Sequence, residues 1–187
     1  MKYENLNEVR DDIISCHLCD LCKSRVNAVP GEGNMHAKLM FIGEAPGRIE
    51  DEIGRPFVGT AGKILDQVLE KVGILRSDVF ITNIVKCRPP ANRVPTDEER
   101  NMCKKFLDTE IKLVSPKIIC ILGRTALNSI FASEGKSILQ SRGKFISHNF
   151  TKYFLTIHPA AVIYNPKLRI VLEKDLAMLC EEYKRLV

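Results

Sequence analysis

Apolar and polar positions along the chain alternate between a helical and an extended rhythm. Leu6, Val9, Ile13 and Ile14 share one helical face, so a short helix over residues 5–15 leads into the first cysteines. Residues 38–43 (KLMFIG) form a buried-type strand that runs into the turn EAPG. Thr60–Val72 has helical periodicity, and Gly73 stops it. A second strand, 79–82, ends at Asn83. Thr96 and Glu99 make a capping box that opens a helix running to about Val114. Residues 117–122 make a third strand, and Gly123 hands over to a helix near 124–132. Two further strands, 143–148 and 152–157, end at His158, and a last helix occupies roughly 167–186.

Strands alternating with helices predict an α/β sheet covered on both faces. The chain shows no internal repeat and no linker, so residues 1–187 are expected to form a single domain. In open α/β sheets, ligands sit at the carboxyl ends of the strands. Gly43 to Gly47, Asn83 and His158 each fall at such an end, which predicts three segments converging on one rim.

Composition narrows the class of protein. Hydrophobic residues make up 45% of the chain and charged residues 27%, as in soluble globular domains, and no apolar run reaches the length of a membrane span. The first residues, MKYENLNEVRDDII, carry charges where a secretion signal would be apolar. A cytoplasmic protein is expected, or a nuclear one where the cell has a nucleus. The net charge of +5 and pI of about 8.8 suit a polyanionic partner without demanding one.

Seven cysteines without a secretion signal point to a metal or cluster site rather than to disulfides. Cys16 and Cys19 are separated by two residues, and Cys87 and Cys103 follow far downstream. Four thiolates could bind zinc or a [4Fe–4S] cluster, and spacing alone leaves both open. Cys22, three residues after Cys19, adds a further possible ligand, as does His17. Cys120 and Cys180 sit inside a strand and a helix and are expected in the core. Lys23, Arg25, Lys86, Arg88, Lys104 and Lys105 flank the cysteines, where they could offset thiolate charge or meet phosphates.

The segment GEAPGRIEDEIGRPFVGTAGK (43–63) concentrates features of a reacting centre. Pro46 restricts Ala45 to an extended conformation, and Gly43 and Gly47 permit close backbone approach. Glu44, Glu50, Asp51 and Glu52 supply carboxylates, and Phe57 supplies a flat face.

With ITNIVKCRPPANRVP, RGK (142–144), HPAAVIYNP and CHLCDLCKSRVNAVPGEGN, this segment resembles the type 4 uracil-DNA glycosylases of the wider uracil-DNA glycosylase superfamily. The resemblance runs in order from about residue 16 to 166. It implies a three-layer α/β/α sandwich with a central four-stranded parallel sheet. It also implies a [4Fe–4S] cluster on Cys16, Cys19, Cys87 and Cys103, with Cys22 outside the pattern.

By the same resemblance, Phe57 stacks on a flipped uracil and Asn83 reads its N3–H and O4. His158 meets O2 as charge develops there, with Glu44, Ala45 and Pro46 lining the pocket. The best-studied branch of the superfamily has an aspartate where this chain has Ala45. Glu50 is therefore the expected water-activating group, with Glu44 and Asp51 as rivals. Arg142 and Lys144 are expected on phosphates, and Val162, Ile163 and Tyr164 form the candidate wedge into the duplex. The implied partner is uracil-containing DNA, single- or double-stranded, bound by a monomer without a membrane. Two alternatives are a non-catalytic iron–sulfur or zinc DNA-binding module and a glycosylase for another deaminated base.

Overall fold

A computed structural model describes residues 3–131, 138–148 and 151–186. In chain order it contains helix α1 (Leu6–Ile14), strands β1 (Glu32–Gly33) and β2 (Leu39–Gly43), and helices α2 (Arg48–Ile53) and α3 (Thr60–Val72). Strand β3 (Phe80–Asn83), helix α4 (Asp97–Val114), strand β4 (Ile118–Leu122) and helices α5 (Arg124–Phe131) and α6 (Ile138–Ser141) come next. The chain closes with strands β5 (Phe145–His148) and β6 (Thr151–Thr156) and helices α7 (Ala160–Tyr164) and α8 (Leu168–Tyr183). The expected helix near 124–132 ends at Phe131, and residue 132 lies outside the described residues.

Among the described residues one sheet runs in the order β1-β3-β2-β4-β6-β5. The inner four strands are parallel, as expected, and the two edge strands are antiparallel to their neighbours. The sheet is thus six strands wide rather than four. β1 is only two residues long and contains a glycine, too little to leave a period-2 signal.

Strand alternation explains the three layers. Leu39, Phe41, Ile81, Ile118, Cys120, Leu122 and Phe154 face one side and pack under α3, α7 and α8. Met40, Ile42, Phe80, Ile119, Ile121 and Leu155 face the other, under α4 and α5. Cys120 and Cys180 both lie in the first of these cores, as their positions predicted. A third apolar cluster joins α1, the cysteine loop and α4 through Val9, Ile13, Leu21, Val85 and Phe106. The capping box forms completely: Glu99 N–H donates to Thr96 Oγ1 and Thr96 N–H to Glu99 Oε2. Among the described residues no helix is long and apolar enough to cross a membrane.

Candidate active site and cysteine pocket

The chain leaves β2, adds β3 on one side, then crosses back to place β4 on the other. This reversal opens a crevice at the carboxyl end of β2, and the site occupies it. Gly43 ends β2 directly opposite Asn83, the last residue of β3. A Cβ on Gly43 would lie 2.5 Å from Asn83 Oδ1 and 2.5 Å from Phe57 Cζ. Only glycine lets both side chains close over this strand end. Asn83 is 2% exposed, and its Oδ1 is buried with no hydrogen-bond partner among the described residues. A buried acceptor left unpaired is uncommon and costs about 1–3 kcal/mol.

Phe57 has a φ of 52°, the left-handed region that bulky residues avoid. Two contacts hold it there. Its carbonyl rests on Gly62 of α3, where any Cβ would collide with it. The next two amides, of Val58 and Gly59, donate to Glu50 Oε1 at 3.0 and 2.6 Å. Glu50 is buried on α2 and caps α3 from outside, a task that N-cap Gly59 cannot perform with its own side chain. Asp51 likewise binds backbone, accepting from Val26 and Asn27. α2 escaped sequence detection because its buried positions are these two carboxylates rather than an apolar stripe.

His158 lies two residues beyond β6, with its ring 5.7 Å from that of Phe57. Its Nδ1 accepts from the Ala160 amide at 3.1 Å, which leaves the proton of a neutral ring on Nε2. Burial lowers its pKa to about 4, against a smaller opposing pull from the Glu50 charge. Near neutral pH His158 is therefore an uncharged donor.

Other expected residues are distributed unevenly. Glu44 and Ala45 are half-buried and Pro46 is buried. Ala45 packs against the cysteine-side core. Of the three residues expected in the wedge, Val162 is buried in the main core, whereas Ile163 and Tyr164 are exposed, Tyr164 at 88%. Lys144 is exposed. The Arg142 guanidinium instead faces the fully buried Asp175, donating from Nε at 2.8 Å and also from Nη2. Thr156 Oγ1 donates to the same carboxylate at 2.7 Å. The fork of Arg142, expected on phosphate, is engaged by this carboxylate.

Cys16, Cys19, Cys22, Cys87 and Cys103 line one small pocket with Arg25 and apolar walls from Ile13, Leu21, Val85 and Phe106. Arg25 Nη1 donates to Cys87 Sγ at 3.0 Å, and the Lys86 amide donates to Cys103 Sγ at 3.3 Å. Burial raises the thiols of Cys19 and Cys87 and pushes Cys103 up to about 12. N–H donors aimed at buried sulfurs suit thiolates that share their charge with a metal centre. Among the described residues no three His, Cys, Asp or Glu side chains are gathered tightly enough to grip a single ion.

The flanking cations divide. Lys23 pairs with Asp20 and Lys104 with Asp108 at the surface, whereas Lys86 is buried against Glu110. Sequence reasoning missed Glu110 and Asp175. Each sits in helical phase with apolar neighbours, Glu110 with Phe106 and Leu107, Asp175 with Leu172 and Leu179.

Residues 30–181 match the family model for the uracil DNA glycosylase superfamily. The chain is 46% identical over 186 residues to a type-4 uracil-DNA glycosylase of Sulfurisphaera tokodaii, covering 95% of this chain and 84% of that one. It is 47% identical to the type-4 enzyme of Saccharolobus solfataricus, with 95% and 86% covered. To that of Archaeoglobus fulgidus it is 43% identical, with 95% and 93% covered.

Proposed function

The chain belongs to the uracil-DNA glycosylase superfamily, and from that premise we propose that it draws uracil out of DNA and hydrolyses its N-glycosidic bond, leaving an abasic site. One observation carries the reading: the buried, unpartnered Oδ1 of Asn83, beside the Phe57 ring. Uracil N3–H would satisfy that oxygen, and the Asn83 amide would donate to O4. Cytosine offers an acceptor at N3 and a donor at its amino group, so it would face the same side chain with both signs reversed.

Bond breaking puts positive charge on the sugar and negative charge on the base. His158, neutral with its proton on Nε2, donates to uracil O2 as that charge grows. Phe57 stacks on the base, in a pocket bounded by Glu44, Ala45 and Pro46. Glu50 keeps Oε1 on the two amides, leaving Oε2 to accept from the attacking water and its charge to favour the sugar cation. Cys16, Cys19, Cys87 and Cys103 would hold a [4Fe–4S] cluster. When bound, it supplies a covalent tie between the loop after α1, the segment after β3 and α4, and about four irons per chain should be found. Lys144 meets phosphate, and Ile163 and Tyr164 enter the space the base leaves. We place this activity in a single-domain monomer in the cytoplasm, acting on uracil in single- or double-stranded DNA.

Single-turnover excision on matched uracil and cytosine oligonucleotides, with alkaline cleavage of the product, tests the reading. Asn83→Asp removes the donor to O4 and presents an ionised oxygen there. Excision should fall about tenfold to a hundredfold, the cost of a broken hydrogen bond in a dry pocket, with iron content preserved. No excision by the wild type overturns the activity, and wild-type excision by the variant overturns the base reading alone.

A further inference from the structure

Lys86 is a charged residue as deeply enclosed as the core around it, 1% exposed. Its ammonium donates to Thr82 Oγ1 at 2.5 Å, to the Asn83 main-chain oxygen at 2.8 Å and to Glu110 Oε2 at 2.6 Å. Three protons meet three acceptors, so the group is saturated. Glu110 is equally occupied, taking the Thr82 hydroxyl at 2.7 Å and the Gly31 amide at 2.9 Å. A buried ion pair is seldom more stabilising than apolar residues of the same volume. Net stability is therefore a poor reason to keep one here, and its location supplies a better one.

The other end of Lys86 points to the cysteines. Its own amide donates to Cys103 Sγ, and its carbonyl accepts from Val29 at 2.7 Å, just beyond the loop that carries Cys16 and Cys19. Glu110 and Cys103 lie two turns apart on the same face of α4. One side chain and one amide of a single residue thus touch both the strand end that presents Asn83 and a wall of the cysteine pocket.

We infer that Lys86 is a positioning residue that, with Glu110, sets the Asn83 main chain relative to the cysteine pocket, so that occupation of the base site and the environment of Cys103 are coupled. This rests on the proposed uracil pocket and on the cysteines holding a cluster. By linkage, anything that shifts one end must be felt at the other.

The test uses the purified, iron-loaded protein and free uracil as probe. In the wild type, saturating uracil should change the visible circular dichroism of the cluster. In Lys86→Met/Glu110→Gln, which removes both charges and keeps the volumes, that change should vanish. At saturating DNA its single-turnover excision should fall at least about tenfold, roughly 1.4 kcal/mol of barrier, with iron content and DNA affinity unaltered. A double variant that excises at the wild-type rate and keeps the uracil-induced spectral change overturns the coupling. Should that variant fail to load iron, the wild type still decides: a cluster spectrum indifferent to saturating uracil overturns the proposal. Wild-type protein that excises no uracil at all sinks the functional reading instead, a result separable from either outcome.

Discussion

Asn83 and His158 stand at the ends of different strands, and behind each lies a buried charge network of the same plan. A threonine near the strand end, Thr82 or Thr156, donates to a carboxylate reaching in from a helix, Glu110 or Asp175. A basic residue, Lys86 or Arg142, completes each pair. The difference is enclosure. The Lys86 and Glu110 side chains are each 2% exposed, whereas Arg142 keeps 26% of its side chain in solvent over a wholly buried Asp175. A sealed pair has no water to fall back on, so both partners must be satisfied by protein. The half-open pair can surrender one partner to solvent. The network behind Asn83 is accordingly the more brittle of the two.

Removing each carboxylate should expose that difference most strongly. Glu110→Ala strands a lysine with no route to water and should cost about 3–5 kcal/mol in urea unfolding. Asp175→Ala leaves an arginine able to turn outward, and a loss nearer 1–3 kcal/mol is expected. Equal losses at the two sites would mean that enclosure does not set their worth.

His158 sharpens the comparison from the side of chemistry. Under the proposed chemistry, replacing it with Ala removes the donor to uracil O2 and should slow excision by roughly 3–4 kcal/mol of barrier. Its ionisation also marks folding. The folded imidazole titrates near about 4, while the unfolded one titrates near 6.5. Between those values the unfolded chain binds a proton that the folded chain refuses. The contribution to stability is therefore fully present above about pH 6.5 and declines as pH falls toward 4, by at most about 3 kcal/mol. Unfolding free energies at pH 7 and pH 5 should differ more for the wild type than for His158→Gln. Excision should show no titration of this residue between pH 5 and 8. An inflection near pH 6.5 that disappears in His158→Gln would show the ring to be charged in use.

The elements that surfaced from sequence are those whose signal is local. Apolar runs at 38–43 and 117–122 became β2 and β4, and Thr96 with Glu99 closed both halves of its capping box. Gly43, Asn83 and His158 were expected on one rim, and the parallel register of β2, β3, β4 and β6 aligns the strand ends that carry them. What stayed hidden depends on partners far along the chain. Glu110 lies among DEERNMCKKFLDTEIKLV, where a carboxylate looks solvated until its phase with Cys103 and Phe106 is followed. Arg142 in RGK resembles a phosphate contact until Asp175, 33 residues on, claims its fork. The left-handed backbone of Phe57 has no signature at all, since Gly62 and Glu50 impose it from outside.

The smallest expected effect separates the two cations of that same segment. A lysine on phosphate releases about one counterion when it binds, so its removal weakens every DNA sequence alike and flattens the salt dependence of affinity by about one unit. Lys144 is exposed and should behave this way in Lys144→Ala, with folding stability unchanged. Arg142 should invert both results. Its guanidinium neutralises Asp175, so Arg142→Gln should lower stability and leave the slope of log affinity against log salt where it was. Titrations of labelled oligonucleotides from 50 to 200 mM salt, paired with urea midpoints for each variant, read both quantities on the same proteins. A flattened slope in Arg142→Gln with stability intact would return that residue to the DNA. The half-open network behind His158 would then be a substrate contact that rests on Asp175 only between encounters.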